Sequence, residues 1–90
     1  MMYDTVEKFR EFLSDTDYIN NGVQHKYAFP NGYGASVVKH DFSYGGKNGL
    51  WELAVLNEGE LDFSTVITHD VIGHLSWKEV EKVLENIKNL

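Results

Sequence analysis

Apolar side chains along this chain recur with two different periods, and the switch between them divides it into elements. Val6, Phe9, Phe12 and Leu13 fall at helical spacing and predict an amphipathic N-terminal helix. Asp4 or Thr5 is placed to cap it, with Glu7 three residues after Asp4 in capping-box spacing. The pattern fades over Ser14 to Asp17, and Asn20-Asn21-Gly22 predicts a turn.

From Val23 the period becomes two. Val23, His25, Tyr27 and Phe29 alternate with Gln24, Lys26 and Ala28, a half-buried strand. Asn31-Gly32 predicts a tight hairpin into a return strand over Tyr33 to His40. A two-residue loop would set Val23 opposite His40, His25 opposite Val38 and Tyr27 opposite Ser36; a four-residue loop would alter the local pairing. Leu50 to Leu56, apolar everywhere but Glu52, reads as a central strand. Asn57-Glu58-Gly59-Glu60 turns the chain into an alternating strand over Leu61 to Ile67, and Val71 to Leu75 reads as a short turn. Ser76 with Glu79 three residues on opens a final helix, whose stripe is Val80, Val83, Leu84, Ile87 and Leu90. The expected fold is a single α+β domain over residues 1–90. A four-stranded antiparallel meander carries an N-terminal and a C-terminal helix on one face, since neither helix buries its stripe alone.

Composition narrows the function. The 90 residues hold 14 acids against 8 bases, a net charge of −6, which disfavours phosphate-driven binding to nucleic acid or to anionic lipid. Cysteine is absent, which removes disulfides, thiolate catalysis and cysteine zinc sites. Neither a membrane span nor a signal peptide is evident, so a cytoplasmic protein is expected. The acids are unevenly spread: residues 57–70 carry four and no Lys or Arg, and residues 1–18 carry five against two bases. Should these segments adjoin, they form either an ordinary solvated face or a patch for a basic partner.

Chemistry-bearing residues are sparse. On the two-residue-loop register His25 and His40 share one face, but two histidines make a poor metal site. The five-residue spacing of His69 and His74 does not put both on one helical face, and Asp70 reads better as a cap for the turn that follows. The loop Tyr44-Gly45-Gly46-Lys47-Asn48-Gly49 lacks the phosphate-loop pattern and joins strands; it is either a flexible connection or a binding loop presenting Tyr44. No serine lies in a nucleophile motif. A non-enzymatic protein without metal or cofactor is expected.

Three stretches carry a resemblance: Phe29-Pro30-Asn31-Gly32-Tyr33-Gly34-Ala35-Ser36-Val37-Val38, Ser43-Tyr44-Gly45-Gly46 and Gly49-Leu50-Trp51-Glu52-Leu53-Ala54-Val55-Leu56. They are similar to a group of small uncharacterised proteins of tailed phages and prophages, and Ile67 to Leu75 resembles that group's C-terminal pattern. No activity attaches to the group, so no functional residue carries over. The resemblance implies a bacterial host cytoplasm and a phage protein that binds and inhibits a host factor, plausibly one of antiviral defence. The expected contact surface joins acids (Asp4, Glu7, Glu11, Glu58, Glu60, Asp62) that steer a basic partner to aromatic anchors (Tyr33, Tyr44, Trp51). The alternatives are self-association, as a homodimer through a sheet edge or the Trp51 face, and sequestration of a small ligand such as a nucleotide by the Tyr44–Gly49 loop and nearby histidines.

Overall fold

The structure is a computed structural model that describes residues 6–90, with side chains described from residue 8 onward. The elements are helix α1 (Val6–Phe9), strands β1 (Leu13–Ile19), β2 (Gly22–Ala28), β3 (Tyr33–Lys39), β4 (Trp51–Asn57), β5 (Glu60–Leu61) and β6 (Ile72–Leu75), and helix α2 (Trp77–Lys88). All strands pair antiparallel in the order β1-β2-β3-β4-β5, and β6 pairs with the other half of β4. The α+β class and the central meander match the expectation, but among the described residues the sheet has six strands and α2 is the one long helix.

Among the described residues the N-terminal helix is a single turn, Val6–Phe9, followed by a 3-10 turn, Arg10–Phe12, before Leu13 becomes extended. Phe9 and Phe12, three residues apart, suit the three-residue period of a 3-10 turn. Both pack edge-on to Phe29, at 6.2 and 5.1 Å, so the expected apolar stripe reaches the core without an extended helix. The proposed caps Asp4 and Thr5 lie outside the described residues. Leu13, the last residue of the expected stripe, and Ser14 to Asp17, over which the helix was expected to fade, instead belong to edge strand β1, bulged at Ser14. Asn20 and Asn21 take φ of 48° and 63°, the positive values a two-residue hairpin turn demands.

The β2–β3 register differs from the two-residue-loop pairing by one residue. His25 faces Val37 and Tyr27 faces Ala35. The cause is Pro30: a two-residue Asn31-Gly32 loop would need residue 30 to donate its amide to residue 33, and proline has none. Phe29 donates instead, to the Tyr33 carbonyl at 2.8 Å, and Gly32 closes a three-residue loop at φ 90°. The slip reverses faces, so His25 and His40 lie on opposite sides of the sheet.

Beyond β4 the expected strand over Leu61–Ile67 ends at Leu61. Asp62 accepts from the Ser64 amide and hydroxyl, Thr65 from the Ile67 amide, and Thr68 from the Asp70 amide. Such local side-chain bonds offer the backbone an alternative to a ladder. Val71–Leu75, expected as a turn, supplies β6, with Trp51 opposite Leu75, Leu53 opposite Ile72, and His74 bulged out at φ 56°. Asp70 therefore caps no turn; it accepts from the Val71 amide.

Helix α2 lies across β3, β4 and β6. Ser76 and Glu79 form the expected reciprocal cap, and Val80, Leu84 and Ile87 are buried against Val23, Tyr27, Val37, Leu53 and Val55. At its other end Asn31, in the β2–β3 loop, donates to the Ile87 and Lys88 carbonyls at 3.0 Å each and accepts from the Tyr33 amide. The opposite face of the sheet carries Gln24, Lys26, Gly34, Ser36, Val38, Glu52, Ala54 and Leu56, with no helix across it among the described residues.

Candidate partner-binding surface

The strand pattern sends the aromatic candidates to different places. Trp51 opens β4 on the covered face and is 3% exposed. Its ring packs against Trp77 at 5.0 Å and His25 at 5.8 Å, with the Lys39 ammonium 4.7 Å from its centroid. It is a core residue, not a contact anchor, and offers no face for self-association. Tyr33 is half-buried. Tyr44 is 61% exposed and held by its backbone: its amide donates to the Glu52 carboxylate at 2.8 Å and its carbonyl accepts from His74 at 3.1 Å. Its side chain lies over Gly73, where a Cβ would come within 2.4 Å of the Tyr44 Cβ.

The acids also divide. Asp4 and the side chain of Glu7 lie outside what is described. Glu11 is exposed on the 3-10 turn. Glu58 and Glu60 are exposed around the β4–β5 turn, where Glu58 and Gly59 take φ of 52° and 85°. The carboxylate of Asp62 accepts from Ser64 and Asn57 at the surface, and those bonds, Ser64's first, hold it below the usual carboxylate range. Glu58 and Tyr33 share one groove: with Ser14, Lys26, Gly34 and Leu56 they line a space of about 400 Å³ at the hairpin end of the sheet.

The sheet margin beyond β4 gathers the features expected of a contact surface. Glu58, Glu60 and Leu61 are exposed there, and Phe63 and Val66, the last 90% exposed, follow within six residues along the chain. Exposed apolar side chains in this number, set among acids, mark an interaction surface more often than chance scatter. Leu61 and Phe63 escape a reading by alternation, because that pattern puts them on the apolar face of a strand; Val66 falls on its opposite face with Asp62 and Ser64.

The covered face holds the buried polar groups. His25, 4% exposed, shares a hydrogen bond with Thr16 through Nδ1 at 2.9 Å, and burial lowers its pKa. Burial, and then the charge of Glu81, pushes the Tyr27 phenol up; its hydroxyl has no hydrogen-bond partner. Glu81 accepts from the Trp77 indole at 3.1 Å. Among the described residues no three His, Asp or Glu side chains converge as a metal site would require. The glycine loop spends its amides internally. Gly46 donates to Ser43, Asn48 and Leu50 to Gly45, and Gly49 to Gly46, so these amides are not presented to a phosphate.

No described helix is long and apolar enough to cross a membrane. No family model, curated protein or solved structure matches the chain.

Proposed function

We propose that this chain is a non-enzymatic protein that binds a basic surface of a host protein and blocks it. The observation that carries the reading is the margin beyond β4. There one short segment of the chain, residues 57–70, carries four acids and no Lys or Arg and exposes Leu61, Phe63 and Val66 as well as Glu58 and Glu60. Acids accelerate encounter with a basic partner, and the apolar side chains supply the area that becomes dry on contact. The resemblance to phage proteins supports a bacterial host as the source of the partner and antiviral defence as the class of target.

The test is capture of a host protein from bacterial lysate, repeated with the Glu58→Lys, Glu60→Lys pair and with Val66→Ser. All three positions are exposed, so the fold is expected to persist by circular dichroism. The charge pair is expected to slow association with the captured protein by about ten-fold at low salt. Val66→Ser is expected to speed dissociation instead. Capture and rates indifferent to both variants would remove the margin from the contact.

A further inference from the structure

At the opposite edge of the sheet, β1 presents a second and differently built surface. It runs seven residues, about 23 Å at the usual rise per residue. Among the described residues only β2 pairs with it. In an antiparallel ladder alternate residues turn their N–H and C=O groups away from the partner strand, so the outer side of β1 carries a row of backbone donors and acceptors. Edge strands are commonly protected by shortness, proline, lysine or bulges. β1 is long, has neither proline nor lysine, and is bulged only at Ser14, near one end.

Its side chains say what fits. Asp15 and Asp17 are exposed and point to the uncovered face, opposite Lys26 and Gln24. Thr16 and Tyr18 share the covered side with His25 and Val23, and the Tyr18 ring is 74% exposed. A second copy of β1 is a poor occupant. Whichever of residues 15, 16 or 17 lies on the two-fold axis of an antiparallel pair, an aspartate faces an aspartate, and like charges directly opposite are destabilising. A strand with Lys or Arg at two alternate positions puts a cation opposite each aspartate. The residue between them then lies on the Thr16–Tyr18 side, where an apolar side chain meets the Tyr18 ring.

We infer that β1 is a strand-addition site for an extended basic segment of another protein, with Lys or Arg at alternating positions around an apolar residue. Backbone ladder bonds supply affinity in this mode and the alternate side chains supply selectivity. The site lies across the sheet from the β5 margin and stands or falls independently of it.

The probe is an acetylated and amidated heptapeptide of sequence Thr-Lys-Val-Lys-Val-Lys-Thr, titrated into the full chain and followed by amide NMR. Two controls accompany it: the same peptide with Glu for Lys, and a form N-methylated at alternate amides. The expected result is shift changes concentrated in residues 13–19, with amide exchange slowed at Thr16 and Tyr18. Neither control should bind comparably, and Asp17→Lys should weaken the parent peptide about five-fold. Several results overturn the inference: no binding at millimolar peptide, equal binding of the N-methylated form, shifts confined to the β5 margin, or a peptide-free dimer with β1 amides already protected. Host-protein capture that is lost in the Glu58→Lys, Glu60→Lys pair but intact in Asp17→Lys would leave the preceding proposal standing while removing this one from that partner.

Discussion

Protonating His25 places a positive charge beside Trp51 and beneath the covered face of the sheet, where water cannot solvate it. Burial lowers its pKa from an ordinary 6.5, so at mildly acidic pH the unfolded chain takes up a proton that the folded chain refuses. The resulting stability is fully present above about pH 6.5 and declines as the pH falls below it. Urea denaturation followed from about pH 7.5 to about pH 5.5 is therefore expected to show falling stability. His25→Gln should flatten that slope, and an unchanged slope in the variant would reject the assignment. Alternation from Val23 to Phe29 made the inward direction of His25 legible beforehand. The neighbours it meets were harder to read, because Leu50–Leu56 is apolar on both faces and pattern does not say which one a helix covers. Trp51, expected as an exposed anchor, is the first residue of β4 and lies in the core. Pro30 is the opposite case: its missing amide sets the hairpin register, and that signal was present in the residues themselves.

Elements defined by local chemistry were the legible ones. The Ser76–Glu79 reciprocal cap closes within four residues, and the helix begins where that spacing places it. Replacing Ser76 with Ala leaves the Glu79 amide without its acceptor and should cost about 1 kcal/mol in a thermal or urea melt. Retained stability would mean that packing of Val80 and Leu84 alone sets the helix start. β1 was illegible for a physical reason: as a polar edge strand it buries almost nothing, so its sequence shows no strong period. The clue lay outside it, in Asn20-Asn21, since a turn with two positive φ values joins strands on both sides. Leu61–Ile67 erred the other way. Its alternation is genuine, but Asp62, Thr65 and Thr68 each bond the backbone locally and break the ladder. Phe63, which alternation would place on the apolar face, is exposed past that break.

For the molecule as a whole, chain order settled most of the architecture. Consecutive strands joined by short turns become neighbours, and α2 covers one face because its stripe requires a partner. The second role of β4, paired with β5 at one end and β6 at the other, depends on where the intervening segment folds back and was not visible. Nor was the role of Asn31, which reads as an ordinary turn former. Asn31→Ala should lower stability by about 1–2 kcal/mol in urea, since it strips bonds from carbonyls at the end of α2. A change near zero would show that water replaces the amide at no cost. One carboxamide serves the Tyr33 amide with its oxygen and the helix end with its nitrogen, so ordering either part holds the side chain that the other uses. The hairpin tip and the last turn of the helix, more than fifty residues apart in the chain, are thereby coupled, and a partner that grips the tip is expected to quiet the helix end as well.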